Sequence, residues 1–263
     1  MDVRDLVRGH YGAVDLTTGI LQALHDAGAD TSILHASDLY PVDHLHAGGP
    51  DASRHLLDSV EVGAGTRLLD VGCGIGGPAR MAASYDALVS GVDLTPEFVD
   101  TATELTRLVG LSEKASFTST PAEALPFEDH SFDTAMMIHV GMNVPGKQAL
   151  FAEVHRVLRP GGRFALFEQM RAGDGDLPYP MPWAEDERSS FVETPEAYVA
   201  HLEAVGFSVE RREDRTASTA GPPAAGRLSP VAVFGPAFAE RIGNNIAATR
   251  AGLLVALLLV ARA

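Results

Sequence analysis

The stretch from Leu68 to Arg80, which reads LLDVGCGIGGPAR, decides the fold of this 263-residue chain. Its first residues belong to an apolar run that predicts a short buried strand, and Pro78 predicts the start of a helix directly afterwards. Between the two, Gly72 and Gly74 let the backbone approach a ligand closely, and the first turn of the helix offers unpaired N–H groups. A strand, a glycine-rich loop and a helix in this order predict a ligand-binding loop, with a plain tight turn as the alternative.

Strand and helix patterns alternate along the chain around this loop, from residue 65 to residue 171. Strands are predicted at 66–71, 87–92, 115–119, 131–140 and 163–169, and helices at 78–85, 95–110 and 146–158. A helix at 194–205 and strands at 207–210 and 252–261 follow. This alternation indicates βαβ units and a parallel sheet, which defines an α/β fold.

The first 60 residues lie outside the alternation. Leu16, Ile20, Leu21 and Leu24 share one face of a predicted helix. We expect residues 1–60 to form a helical cap, or lid, over the ligand-binding end of the sheet. Residues 61–263 then form the main domain, with a cap insertion at 171–193. The stretches at 171–182 and 216–230 are rich in small residues and proline and predict irregular connections.

The charge balance narrows the class of partner. The chain has 20 basic and 35 acidic side chains, a net charge of −15, and such a field repels nucleic acid and anionic lipid. The single cysteine, Cys73, excludes a disulfide scaffold and a Cys-rich zinc site. Residues 1–12 lack the apolar region of a signal peptide, and the apolar run at 252–261 is too short to cross a membrane. We expect a cytoplasmic monomer or homodimer that acts on a small molecule, without nucleic acid, membrane or metal.

Two carboxylates accompany the glycine-rich loop. Asp70 lies two residues before Gly72, where an acidic group orients the cationic amine of a ligand; an ordinary polar strand end is the alternative. Asp93 ends the second strand, where a carboxylate accepts hydrogen bonds from both hydroxyls of a ribose. The alternative for Asp93 is a cap for the helix that starts near Pro96.

Three further segments follow the loop: GVDLTPEFV (91–99), TPAEALPFEDHSFD (120–133) and FAEVHRVLRPGGRFAL (151–166). Together with the loop they resemble the class I S-adenosylmethionine-dependent methyltransferases, and the last two distinguish this family from dehydrogenases. The resemblance implies a Rossmann-like, doubly wound sheet of seven strands, mostly parallel with an antiparallel C-terminal strand. It also implies S-adenosyl-L-methionine as the cofactor and S-adenosyl-L-homocysteine as its product.

Two shorter segments resemble a smaller group within this family. IHVGMNV (138–144) and YPMPWA (179–184) resemble segments of the glycine, sarcosine and dimethylglycine N-methyltransferases, within a group that includes methyltransferases of ubiquinone biosynthesis. Members of this group act on small metabolites.

The resemblance also implies a set of cofactor contacts. These are Asp70, Gly72, Cys73, Gly74, Asp93, Leu94, Ala122, Glu123 and His139. The glycine-rich loop faces the methionine part of the cofactor, Asp93 takes the ribose hydroxyls, and residues 122–123 line the adenine edge. One departure is Pro121, because the family usually places an acidic residue there to bind the adenine amino group. Arg80 is a candidate for the cofactor carboxylate, or else a solvated arginine on the helix surface.

Three histidines are candidates for the chemistry. His139 ends the fourth strand, where it faces the transferred methyl group and accepts a proton; a structural, hydrogen-bonded histidine is the alternative. His44 and His46 form a second pair, predicted to contact the substrate from a lid segment. Their spacing is also that of metal ligands, but no third ligand with matching spacing is visible.

Aromatic and amide side chains complete the predicted substrate site. Trp183 is the only tryptophan and, with Tyr179, lies beyond the fifth strand, where ligands of such sheets bind. Asn143 lies in the segment after the fourth strand. We expect all three to contact the substrate, and for the two aromatics the alternative is a loop anchor.

The leading hypothesis is in-line transfer of a methyl group from S-adenosylmethionine to an amine or hydroxyl of a small metabolite. Alignment of the reactants alone contributes roughly 7–11 kcal/mol to such a reaction. The alternatives are a cyclase or isomerase with the cofactor as a structural ligand, a non-catalytic binding module, and an NAD-dependent dehydrogenase. The last lacks a catalytic Tyr-Lys pair at helical spacing.

Overall fold

The computed structural model describes residues 16–219 and 229–263, so the interpretation of residues 1–12 lies outside the described residues. The strands are β1 (Arg67–Val71), β2 (Leu88–Asp93), β3 (Ala115–Ser119), β4 (Phe132–Ile138), β5 (Leu158–Arg171), β6 (Ser208–Asp214) and β7 (Leu254–Arg262). The helices are α1 (Leu16–Asp26), α2 (Ala36–Asp43), α3 (Gly49–Ser59), α4 (Gly77–Ala83), α5 (Pro96–Leu108), α6 (Lys147–Val157), α7 (Pro195–Ala204), α8 (Thr216–Thr219), α9 (Pro230–Phe234) and α10 (Ala237–Arg250).

The seven strands form one sheet in the order β3-β2-β1-β4-β5-β7-β6. Strands β1 to β5 pair in parallel, and β7 pairs antiparallel with both β5 and β6. Strand order reverses on either side of β1, so the carboxyl ends of β1 and β4 meet at a switch point where such sheets bind ligands. The predicted doubly wound, mostly parallel sheet with an antiparallel C-terminal strand is confirmed.

Helices cover both faces of the sheet because its central strands are apolar on both sides. On one face, Leu150 and Phe151 of α6 pack with Leu202 of α7 against β4, β5 and β7. On the other, Leu57 of α3 and Met81 of α4 pack against the opposite side of the same strands. Burial on both faces explains the long apolar runs at the end of β4 and through most of β7.

Helices α1 and α2, at the start of the described chain, pack through one apolar stripe. Leu16, Ile20 and Leu24 of α1 are buried, as the periodicity predicts, and Leu21 is half-buried beside them. The same cluster includes Phe98 of α5 together with residues of α2. Helices α1 and α2 are therefore held against the sheet domain by hydrophobic packing.

Most predicted boundaries shift by one or two residues, and the larger differences lie in β5, in β6, which extends to Asp214 and not to residue 210, and in the region after residue 216. Strand β5 begins at Leu158 and not at residue 163, because Leu158 pairs with Phe132 before an irregularity in the ladder. The region from 230 to 250, left without a prediction apart from the irregular stretch at 216–230, contains the helices α9 and α10. Of the described helices, none is long and apolar enough to cross a membrane.

Candidate active site

A cavity of about 440 Å³ opens at the carboxyl ends of β1, β2 and β4. One half is lined by the glycine-rich loop and its neighbours, which are Asp70, Gly72, Cys73, Gly74, Ile75, Pro78, Asp93, Leu94, Thr95, Pro121, Ala122 and Glu123. The other half is lined by Leu45, His46, Ile138, His139, Met142, Asn143, Val144, Pro145, Pro182, Trp183, Phe234 and Phe238. We call these the loop half and the cap half.

The glycine-rich loop has the shape that a ligand-binding turn requires. Gly72 has φ +71°, and a Cβ there would lie 2.2 Å from Cγ2 of Val140, so no larger residue fits. Gly74 has φ +52°, and a Cβ there would meet no atom of the described residues within 4 Å, apart from its chain neighbours. The loop therefore presents bare backbone to open space at Gly74.

Asp70 has an unsatisfied oxygen in this half. Its side chain is buried, and its Oδ2 atom has no hydrogen-bond partner among residues 16–219 and 229–263. Burial, together with the negative charge of Asp93, raises the pKa of Asp70 to about 8. A buried carboxyl without a partner is stabilised by a bound cation, so the site fits the ammonium group of an amino-acid ligand.

Asp93 orders the loop from the end of β2. Its Oδ2 accepts a hydrogen bond from Gly74 N at 2.9 Å, and its Oδ1 accepts one from Thr95 N at 2.9 Å. Burial nevertheless raises the pKa of the carboxyl. Each oxygen keeps a further lone pair for a ribose hydroxyl, so the loop-ordering role and the predicted ribose contact are compatible.

The remaining predicted cofactor residues also line this half. They are Cys73, Leu94, Ala122 and Glu123. Burial raises the pKa of the Cys73 thiol well above its usual value, so Cys73 supplies packing and not a nucleophile.

His139 stands where the two halves meet. Its backbone has φ +55°, its N–H donates to Phe167 O at 2.9 Å, and its ring lies 5.1 Å from the Phe167 ring. The Nε2 atom is buried and has no hydrogen-bond partner in the part of the chain that the structure describes. Burial lowers the pKa of His139 to about 3, so the imidazole is neutral at physiological pH and can accept a hydrogen bond.

Glu168, which the sequence analysis missed, holds the backbone that follows His139. Its carboxylate is fully buried and accepts from Val140 N at 2.9 Å and from Gly141 N at 3.1 Å. Burial raises the pKa of Glu168 to about 7. The available signal was a single acidic residue inside the apolar strand RFALFEQM (163–170).

The two other histidines differ in position. His46 lines the cavity, but its Nδ1 contacts Ala47 O at 3.1 Å and its Nε2 contacts Ser53 Oγ at 2.9 Å. His44 is buried behind it, with Nδ1 2.6 Å from Asp43 Oδ1, and does not line the cavity. No cluster of three or more metal-ligating side chains occurs in the part of the chain that the structure describes.

Arg80 corrects both predictions made for it. It is fully buried, and its guanidinium donates to Asp43 Oδ2 at 2.8 Å, to Ile75 O at 2.7 Å and to Thr106 Oγ1 at 3.2 Å. Two of these partners, Asp43 and Ile75, line the cavity, whereas Arg80 itself does not. Arg80 instead joins α2 to the glycine-rich loop, since Asp43 ends α2 and Ile75 belongs to the loop.

The insertion after β5 reaches the cavity through one of its two predicted aromatics. Trp183 lines the cavity and donates from Nε1 to Ser190 Oγ at 3.0 Å. Asn143 also lines it, and its Nδ2 donates to Trp183 O at 2.8 Å. Tyr179 does not line the cavity, because it packs half-buried on the neighbouring cluster that contains Met181.

Two phenylalanines of the cap half were also missed. Phe234 ends α9 and Phe238 lies in the first turn of α10, with their rings 5.1 Å apart. Both line the cavity. The only sequence signal was an apolar residue at i and i+4 across a Gly-Pro break, which is too short to predict a site.

Comparison with known proteins shows what this arrangement resembles. Residues 69–166 match the methyltransferase domain family. Over this segment the chain is similar to class I S-adenosylmethionine-dependent methyltransferases. The methyltransferase GfsG of Streptomyces halstedii is 35% identical over 136 residues, which cover 51% of this chain and 49% of that protein. The chain therefore spans about half the length of this curated relative.

Solved structures extend the likeness to the whole fold. The geranyl diphosphate C-methyltransferase of Streptomyces coelicolor, in complex with S-adenosyl-L-homocysteine, superimposes with a TM-score of 0.71. It is 17% identical, and the match covers 100% of this chain and 98% of that one. The [4+2]-cyclase SpnF superimposes with a TM-score of 0.67 at 23% identity, covering 94% and 92%. At these identities the likeness shows the fold alone. S-adenosylmethionine is confirmed as the cofactor of the methyltransferase family matched here.

Proposed function

We propose that the protein transfers a methyl group from S-adenosylmethionine to an amine or hydroxyl of a small molecule. The observation that carries the proposal is the unpartnered Asp70 Oδ2, buried at a strand end beside the open backbone of Gly74. A cationic amino-acid moiety satisfies that oxygen. The methyltransferase domain match at 69–166 supports the same ligand.

Different residues bind the different parts of the cofactor. Asp70 binds the ammonium group, Asp93 binds the ribose hydroxyls, and Leu94, Ala122 and Glu123 contact the adenine. When bound, the cofactor supplies a methyl group already activated as a sulfonium, and no metal is required. Asp93 keeps its bonds to Gly74 and Thr95, so the loop is ordered before the ligand arrives.

His139 is the proposed catalytic residue. Its free Nε2 accepts a hydrogen bond from the acceptor hydroxyl or amine. A hydroxyl gives its proton to Nε2 as the oxygen–methyl bond forms, because the developing oxonium is far more acidic than the imidazolium, whereas an amine attacks in its neutral form and its product keeps the proton. The electron pair of the methyl–sulfur bond stays on the sulfur. Glu168 is a positioning residue, because it fixes Val140 and Gly141 and thus the direction of His139.

The cap excludes water in this proposal. Leu45 and His46 of the segment after α2, and Pro182 and Trp183 of the insertion at 171–193, line the cavity. Exclusion of water strengthens every electrostatic contact within the site and prevents hydrolysis of the activated methyl group.

The first test is a calorimetric titration with S-adenosylmethionine, with NAD as the control ligand. We expect micromolar binding of the former and none of the latter. Asp93→Ala should weaken binding at least tenfold, while Asp100→Ala, an exposed carboxylate on α5, should leave it unchanged. Absence of binding contradicts the proposal.

The second test follows S-adenosylhomocysteine formation with candidate amines, phenols and sugars. His139→Ala should lower turnover far more than cofactor affinity. A protein that binds the cofactor and converts an acceptor without releasing S-adenosylhomocysteine is a cyclase or isomerase, and contradicts methyl transfer.

A further inference from the structure

The cap half of the cavity is built from apolar side chains. Three polar residues, His46, His139 and Asn143, lie in this half, and its apolar lining includes Met142, Val144, Pro145, Trp183, Phe234 and Phe238. Hydrophobic pockets with few polar groups bind the apolar body of a ligand and use the polar groups to orient it.

Charge is distributed unevenly between the two halves. Asp70, Asp93 and Glu123 lie in the loop half, and no lysine or arginine lines the cavity in residues 16–219 and 229–263. Asp43 also reaches the wall, but Arg80 at 2.8 Å compensates its charge. A phosphate or carboxylate on the acceptor would therefore lose its hydration without meeting a counter-charge.

The two histidines of the cap half do not supply that charge. Burial lowers the pKa of His46 well below its usual value and that of His139 to about 3, so both rings are neutral. Both ring nitrogens of His46 already contact protein oxygens. Of these two rings, it is therefore His139 that offers a free nitrogen for a hydrogen bond with the methyl acceptor.

The aromatic wall is fixed by polar contacts behind it. Asn244 of α10 donates to Pro180 O at 2.9 Å, and Arg241 donates to Met181 O at 3.1 Å and pairs with Glu185. These bonds join α10 to the 171–193 insertion. Phe238 and Trp183, far apart in sequence, therefore belong to one continuous wall whose shape is set before the acceptor binds.

We propose that the acceptor is an uncharged molecule with a largely apolar body and one hydroxyl or amine, and that Phe234 and Phe238 determine this specificity. The proposal rests on the proposed function. The apolar body lies against the two phenylalanine rings, and the single polar group faces His139.

The experiment uses two phenols that differ only in charge, 4-propylphenol and 3-(4-hydroxyphenyl)propanoate. Binding is followed by the fluorescence of Trp183, the only tryptophan, in the presence of S-adenosylhomocysteine. Methyl transfer is followed separately. We expect the neutral phenol to bind at least tenfold more tightly than the carboxylate.

A matched pair of variants tests the specificity residues. Phe238→Lys should abolish the preference for the neutral phenol, or reverse it. Ala239→Lys adds the same charge at the next, exposed position and should leave the preference unchanged. Phe238→Ala should weaken binding of the neutral phenol about tenfold without a change in cofactor affinity. Circular dichroism confirms that each variant is folded.

Three results overturn the proposal: tighter binding of the carboxylate, no response to either phenol, or equal effects of the two lysine variants. Calorimetry with S-adenosylmethionine on the same samples separates this failure from failure of the proposed function. If the cofactor binds and the carboxylate is preferred, only the acceptor class is wrong. If the cofactor does not bind, methyl transfer is wrong, and the fluorescence comparison repeated without S-adenosylhomocysteine still tests whether the cavity prefers the uncharged phenol.

Discussion

The two halves of the cavity are built in different ways. The shape of the loop half is set mainly by backbone conformation. Gly72 and Gly74 adopt left-handed φ values, and the Asp93 carboxylate accepts hydrogen bonds from the N–H groups of Gly74 and Thr95. In the cap half, side chains from α9, α10 and the 171–193 insertion form the wall. The first half depends on contacts close in sequence and the second on packing between distant segments, so substitutions should affect them differently.

The largest effect is expected at the contact that joins the cap to the loop half. Arg80→Ala leaves Asp43 as an uncompensated buried charge, which should reduce the free energy of unfolding by about 3–5 kcal/mol. Urea denaturation measures this. Arg107→Ala, which removes an exposed pair with Glu104, is the control and should have little effect. Equal effects would mean that Asp43 relaxes to solvent and that the cap is held by its apolar stripe alone.

In the loop half, substitution of the two glycines should have different effects. Gly72→Ala introduces both a left-handed alanine and a clash with Val140, and should destabilise the fold by roughly 2–4 kcal/mol. Gly74→Ala meets no protein atom and should destabilise it by about 1–2 kcal/mol, while it weakens cofactor binding strongly. Urea denaturation and calorimetry check the pair. If both variants bind cofactor as the wild type does, the loop is a plain turn.

Asp70 should give the loop half a characteristic pH dependence. Its pKa is raised from 3.8 to about 8, so the folded chain binds more protons than the unfolded chain between these values. Stability contributed by this group is therefore lost as the pH rises through that window, and Asp70→Asn should remove the loss. Thermal unfolding at several pH values measures it.

The same group should release a proton when a cation binds. At pH 7, S-adenosylmethionine binding should release about one proton, because the ammonium favours the ionised carboxyl. Calorimetry in buffers of different ionisation enthalpy measures the number. Proton release that persists in Asp70→Asn would assign it to another group.

The smallest effect is expected in the cap half. Asn244→Ala removes one hydrogen bond to Pro180 and should destabilise the protein by about 0.5–1.5 kcal/mol. Affinity for an acceptor should fall a few-fold, with cofactor affinity unchanged. Glu240→Ala, exposed on the same helix, is the control. A loss of cofactor affinity in Asn244→Ala would show that the two halves are coupled.

The difference between the loop half and the cap half also explains which features could be predicted from the sequence. The strand–loop–helix unit and the positions of Asp70, Asp93 and His139 at strand ends follow from local rules, and the structure places all three on the cavity. Their roles stay predictions. Arg80 could not be predicted, because its partner Asp43 comes from a helix far upstream. Phe234 and Phe238 were missed because a short helix broken by Gly235 gives no clear periodicity.

Strand β7 follows β6 in the chain, yet it lies between β5 and β6 in the sheet. While the protein is being synthesised, a chain that has emerged only as far as β6 leaves the apolar edge of β5 open and β6 without its neighbour. Open edges of this kind recruit strands from other molecules. The edge of β5 therefore stays open until β7 has been synthesised, which takes several seconds after β6 at a translation rate of about 5–20 residues per second.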